Sequence, residues 1–548
     1  MAAVNFGPKT SFDLLKGKKI LIVDDFPQMR SALKKMVESY GATDIQDARN
    51  GDDAVKIISK NSFDIILCDY SLGENTKDGQ QVLEEVKQRD LVPVSTVYMM
   101  LTAESTVEMV MGAVEYKPDG YLTKPFTKEV LVGRLEKIME RKSIFVDIEK
   151  AIKRKDYDGA MSLCDAKIKE NPKHMLDLLK FKSDILLDTG QFDEAGVLFE
   201  KVLGIKTVAW AQIGLGKIRF HQKEFMKARD LFQQVLDENE SAVEAYDCLA
   251  KTYEELNDLT HAQEILQIAI SKSPKAILRQ QALGEIAMKN KDYEVAEKSF
   301  KATVKIGKQS CYKDPKHYTK LARVLSENKN PLEALKVIGM VREEYKDKSD
   351  AAMQASMVEG IVYKKLGQEE KANACLDDAL KLHERIGSKA SIEDSMSLAQ
   401  TCYELDAKDK GNNIMREVIR NHAEEDGVLK NAKAIFKDAG MEEEGANLIE
   451  NSRDEIVQLN NQGVKLVKDG KLEEAIDFFE KAAEHLPDNG TMNMNAAQAL
   501  LMFMEKNGKS DQHLYKARQY LDRVGKSNPG HEKYKKLLKM YETVSAVK

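Results

Sequence analysis

The sequence predicts two architectures in one chain: an N-terminal α/β domain with a doubly wound parallel sheet, followed by an all-α solenoid of helix hairpins. Three observations predict this. Short β-branched runs alternate with helical periodicity up to about residue 141, strand patterns vanish from Phe145 on, and the remainder repeats with a period near 34. At 548 residues the chain is also too long for one core, because domains hold roughly 100–200 residues.

The first strand, "KILIVDD", is an apolar run that stops on Asp24 and Asp25. Adjacent carboxylates repel unless a positive charge sits between or above them, so a cation is expected there. A helix over 27–40 follows, with Met29, Leu33, Met36, Val37 and Tyr40 on one face. "FDIILCD", "VPVSTVYMMLTAE" and "GYLTKPF" are the next strand runs, and a helix over 128–141 closes the domain. Apolar strands flanked by amphipathic helices form a parallel sheet covered on both faces, which presents ligand groups at the carboxyl ends of its strands. Those ends carry Asp24, Asp25, Asp69, Thr102 and Lys124. A single strand-ending Asp is as readily a cap for the next turn. Five such residues in this order at one edge define a site.

Together these residues resemble the receiver domain of two-component response regulators, over about residues 17–141. The resemblance implies a five-stranded (βα)5 fold in which Asp69 is the phospho-acceptor. Asp24, Asp25, Asp69 and the backbone carbonyl of Ser71 would hold Mg²⁺, a hard cation suited to oxygen ligands and to neutralising phosphoryl charge. Lys124 would pair with the acceptor or its phosphoryl group, and Thr102 would donate its hydroxyl to a phosphoryl oxygen. Ala103 is small, leaving access to the acceptor, and Tyr121 matches the switch aromatic that moves inward with the Thr. "LTKPF" matches the family's Lys-Pro pair, commonly joined by a cis bond. One departure is the long polar loop "CDYSLGENTKDGQQ", with Gly73 where many receivers carry Met-Pro. Ser71 and Glu104 would tune the phosphoryl lifetime by guiding water.

Behind this domain the repeat is carried by Ala followed four residues later by a large apolar residue. The pairs are Ala195/Phe199, Ala228/Phe232, Ala262/Leu266, Ala296/Phe300, Ala334/Ile338, Ala372/Leu376 and Ala475/Phe479. Twelve residues before each Ala stands a small residue: Ser183, Gly216, Ala250, Gly284, Ala322, Gly360 and Gly463. Small residues at that offset let two antiparallel helices approach closely. The anchors are spaced 33, 34, 34, 38 and 38, and the last gap of 103 leaves room for two degenerate units. The pattern resembles tetratricopeptide repeats, best in 245–274 and 459–487, each ending on Pro. Nine to eleven units are expected, starting near Ala160 and ending with one around Ala517 that carries an insertion. The expected layout is an N-terminal extension (1–16), a receiver (17–141), a helical junction (142–159), the array (145–530) and a capping helix (531–548).

Composition narrows the function. Lys plus Arg (84) nearly cancel Asp plus Glu (90), giving −6, which disfavours DNA or RNA as partner. The six cysteines stand singly, with no zinc or disulfide spacing, as in a reducing cytoplasm. No stretch is apolar enough for membrane insertion. The histidines fall at no metal-ligand spacing, and the one tryptophan, Trp210, reads as core filler near Gly216. A phosphoaspartyl hydrolase would carry its nucleophile in Asp-x-Asp on the first strand, whereas here the two acids are adjacent. The expected function is therefore a cytoplasmic, non-enzymatic response regulator, with at most self-phosphorylation and autodephosphorylation. A histidine kinase or phosphotransfer protein is the expected donor. The output partner is a protein ligand of the repeat groove or a second copy meeting through the receiver. A phosphate sink or kinase-docking scaffold is the alternative.

Overall fold

The computed structural model describes residues 13–73, 76–103 and 118–546 and divides into two compact units, Met1–His317 and Tyr318–Lys548. Glu104 lies outside the described residues, as does most of the expected 1–16 extension.

The first unit holds the sheet. β1 (Lys19–Val23), β2 (Asp44–Ala48), β3 (Ile65–Asp69), β4 (Val97–Thr102) and β5 (Gly120–Thr123) run parallel in the order β2-β1-β3-β4-β5. Register places Val23 beside Cys68, Asp69 beside Leu101 and Thr102 beside Thr123, so the strand ends named above finish at one edge. Side chains alternate across a strand, and that alternation sorts the core into two layers. Ile20, Ile22, Ile65, Leu67, Met99 and Leu101 pack with Leu33 and Val37 of α1 (Pro27–Glu38). Leu21, Val23, Ile66, Cys68, Tyr98 and Met100 pack with α2 (Gly51–Ile58) and α3 (Gly79–Gln88). A fourth helix, α4 (Lys128–Ser143), adds Leu131 and Leu135 to the first layer. The edge strand β2, "DIQDA", buries only Ala48, so no apolar run announces it. Leu15, from the stretch expected to lie outside the domain, is fully buried in the core, and its N–H donates to the Tyr40 carbonyl at 2.9 Å.

Two residues, Ile144 and Phe145, separate α4 from the next helix, Val146–Lys153, and helical hairpins then fill the rest of both units. The turn inside a hairpin is marked by one left-handed residue. Lys155, Gly190, Lys223, Asn257, Lys291, Lys329, Gly367, Asp406, Gly440 and Gly470 all have φ between 60° and 77°. Their spacing follows the sequence repeat, because the same tight turn recurs at the end of each first helix. The later hairpin Gly490–Asn507/Asp511–Ser527 turns through Gly508 instead, and the helix Glu532–Ala546 follows.

Inside the hairpins three of the glycines lie directly against the large residue of the next helix. A Cβ on Gly216 would come within 2.5 Å of the Phe232 ring, on Gly284 within 2.7 Å of Phe300, and on Gly463 within 2.3 Å of Phe479. Ala228, Ala262, Ala296 and Ala475 are fully buried, and Ala250 nearly so. In the anchor-free interval, Ile392–Glu404 pairs with Lys408–Asn421, and Asp426–Asp438 pairs with the start of a 27-residue helix, Glu442–Lys468. Here Gly411 and Gly445 take the anchor's place, against Tyr403 and Phe436 on the preceding helix.

Candidate functional site

The edge residues converge. β1 hands off Asp24 fully buried and Asp25 half-buried; β3 ends on Asp69, only 6% exposed. Lys124, just past β5, places Nζ 2.9 Å from Asp24 Oδ2 and 3.0 Å from Asp69 Oδ1. The Lys124–Pro125 bond is cis, matching the family's Lys-Pro pair. Backbone amides hold the acids in place: Phe26 N–H donates to Asp24 Oδ1 at 2.9 Å and Tyr70 N–H to Asp69 Oδ1 at 3.0 Å. The carboxylates of Asp24, Asp25 and Asp69 each offer an oxygen within 4.8 Å of the others, the one such cluster among the described residues.

Charge in this pocket is under-compensated. Burial pushes the Asp69 carboxyl up to about 6, against the pull of Lys124, and Asp24 adds to the rise. Burial also works against the Lys124 ammonium, but its contacts with Asp24 and Asp69 outweigh that and hold it above its ordinary value. Asp25 Oδ1 is buried with no hydrogen-bond partner. Three hard oxygen donors, one of them orphaned, fit a divalent oxygen-seeking cation such as Mg²⁺.

The other candidates sit around this centre. Thr102 is buried at the end of β4, where its carbonyl accepts from Lys124 N–H at 2.7 Å; Ala103 beyond it is exposed, and so is Ser71. Tyr121 packs its ring on the α2/α3 layer and buries its hydroxyl without a partner, which holds the phenol well above its usual range. Gly73, in the unusual loop, has φ 94°, and a Cβ there would lie 3.8 Å from Asp25 Oδ2. Gly79 admits no side chain at all, since a Cβ would meet the Asp69 carbonyl at 2.1 Å.

Sequence reasoning missed Arg30. Its guanidinium donates to the carbonyls of Asp24 (2.7 Å) and Asp25 (3.2 Å) and to Asp47 Oδ2 (3.1 Å), tying the acid pair to α1 and β2. The available signal was one basic residue a helical turn and a half past two acids.

A second candidate lies in the hairpins of the first unit. A groove of about 1150 Å³ is lined by Trp210, Ile213, Asp247, Arg279, Ile286 and Tyr312, among others. Trp210 packs against the hairpin core, half-buried and edge-on to Phe199 at 6.1 Å, and its remaining surface lines this groove. Its repeat places it on the helix opposite the Phe199 anchor, one side packed and the other open. Among the described residues no group of histidines or cysteines gathers as a metal site, and no helix is long and apolar enough to cross a membrane.

Comparison with known proteins agrees with this geometry. The response regulator receiver domain model matches residues 20–136. The chain is 35% identical over 132 residues to chemotaxis protein CheY-3 of Vibrio cholerae, which spans 23% of this chain and 96% of that protein. It is 34% identical over 123 residues to chemotaxis protein CheY of Pseudomonas aeruginosa, spanning 22% and 97%. Among solved structures, a Francisella response regulator receiver domain aligns at 26% identity over 23% of this chain and 98% of that one, TM-score 0.21. A tetratricopeptide repeat protein from Parabacteroides merdae aligns at 16% identity over 44% and 93%, TM-score 0.30. Through its sheet domain the chain belongs to the response regulator receiver family, here followed by repeated helix hairpins.

Proposed function

We propose that this chain is the responding half of a two-component phosphorelay. In this reading Asp69 takes a phosphoryl group from a histidine kinase or phosphotransfer protein in the cytoplasm, and the hairpins carry the output by binding protein. The observation that carries the reading is the Asp69 carboxylate, buried at a strand end with one oxygen on Lys124 beside two further acids.

An Asp69 oxygen attacks the phosphorus in line, the P–N bond of the donor's phosphohistidine breaks, and the imidazole leaves with its electron pair. Asp24, Asp25, Asp69 and the Ser71 carbonyl are the residues that would hold Mg²⁺, which when bound supplies charge neutralisation at the phosphoryl oxygens. Lys124 holds the acceptor in place and then pairs with the added charge. The small Ala103 leaves the approach open. Thr102 turns its hydroxyl to a phosphoryl oxygen, and the Tyr121 ring, already packed inward on the α2/α3 layer, is held there, which fixes the surface offered to the array or to a second copy.

The test is direct. Incubation of the full chain with acetyl phosphate and Mg²⁺ is expected to add about 80 Da, one PO₃H, to the peptide holding Asp69. No adduct on the wild type, or an undiminished adduct on Asp69→Asn, overturns the proposal.

A further inference from the structure

α3 is polar on its outer side yet buried nearly all round. Gln80, Glu84 and Glu85 are 4%, 5% and 7% exposed, values that charged residues reach only when something covers them. Glu85 is paired within the receiver by Lys77 and Arg89, and Gln80 accepts from the Tyr70 hydroxyl, whereas Glu84 and both ends of the helix are met by the hairpins of the same compact unit, through two successive loops between hairpins.

The first loop, between Leu259–Lys272 and Ile277–Lys289, contributes Lys275. Its Nζ lies 3.0 Å from Asp78 Oδ2, the cap of α3, and 3.2 Å from the Tyr70 hydroxyl, and it stands 5.1 Å over the Tyr70 ring. Tyr70 is the residue after Asp69. The second loop joins Tyr293–Gly307 to the helix that starts at Pro315. Ser310 donates to Glu84 Oε2 at 3.2 Å in a buried contact, and Cys311 Sγ lies 2.7 Å from Gln88 Oε1. This loop also accounts for an irregularity in the repeat: the Ala296-to-Ala334 spacing is 38 where the two before it are 34, and the extra residues fall in the segment that meets α3. Its next residue, Tyr312, lines the groove.

We infer that the segment 274–311 is an internal docking partner for the α3 face of the receiver, with Lys275 as a latch on the loop that follows the acceptor. Both loops lie a single repeat apart, so a rigid pair of hairpins presents them together. The inference deepens the proposed function and rests on it only for its consequence: the docking and the acyl phosphate bias each other, because binding couplings are reciprocal.

The docking is tested without phosphorylation. Gln88→Cys sets a thiol against the native Cys311, and a short bis-maleimide is expected to join the two within one chain, as read by peptide mass mapping. Cys311→Ser must remove that product. Lys275→Glu combined with Ser310→Asp places two carboxylates against Asp78 and Glu84 and is expected to slow cross-linking at least tenfold, while Lys275→Arg keeps it. No 88–311 product in the Gln88→Cys parent, or an equal rate in the charge-reversed variant with unchanged helical circular dichroism, overturns the docking. The consequence is read separately: the Asp69 adduct is expected to form at a rate at least threefold different in the charge-reversed variant. Equal rates overturn the coupling, whereas no adduct in either protein overturns the proposed function and leaves the docking to the cross-link.

Discussion

The sheet edge and the hairpins are specified in opposite ways. At the edge the proposed chemistry rests on the identity of each residue: an acid at 24, 25 and 69, an ammonium at 124, a hydroxyl at 102. In the hairpins only volume is specified, and small residues exchange roles. Ala anchors most units, but Gly411 and Gly445 hold the same place, followed four residues on by the buried Met415 and Ile449. Chemistry is therefore concentrated in a few side chains, and packing is distributed over a rhythm.

The largest expected effect breaks the edge. Asp69→Asn keeps size and removes the attacking carboxylate, so the 80 Da adduct (roughly, one PO₃H) is expected to disappear while the melting transition remains cooperative.

Next comes protonation. In chelated protein, NMR of the Asp69 carboxyl is expected to show a midpoint near 6, above the ordinary 3.8. A carboxyl whose pKa is raised on folding stabilises the fold in its protonated form. That contribution is fully present below the unfolded value and is lost as pH rises through the folded one. Stability of chelated protein should thus rise relative to Asp69→Asn as pH falls from 7 to 5, in paired urea titrations. Mg²⁺ is expected to lower the midpoint, and Lys124→Met to raise it by about 1 unit or more, because the nearest cation is gone.

The hairpins give smaller effects of opposite sign. Gly463→Ala forces a methyl against the buried Phe479 ring and should destabilise by about 1–3 kcal/mol in urea unfolding. Gly339→Ala, also in a helix but with nothing within 4 Å of its Cβ, should stabilise by about 0.5–1 kcal/mol. If both changes move stability the same way, volume does not govern the repeat.

How far the sequence could be read follows from the same contrast. The strand ends were legible because charged residues closing apolar runs are rare in combination. β2 was not, because an edge strand half open to water needs no apolar alternation. Gly411 and Gly445 were passed over because an Ala pattern encodes an identity where the fold asks only for smallness. Arg30 was missed because its work is done on backbone carbonyls, which leave no trace in side-chain patterns. The contact of Lys275 with Asp78 joins residues 197 apart in the chain, a separation that no local periodicity reports.

Gly79 has one more consequence. With the Asp69 carbonyl where its side chain would be, and its own N–H bonded to the Tyr70 carbonyl at 2.8 Å, the head of α3 is seated directly on the end of β3. A helix seated this way can act as a pushrod: a shift at its seat would be carried to Gln88, nine residues and about 14 Å away.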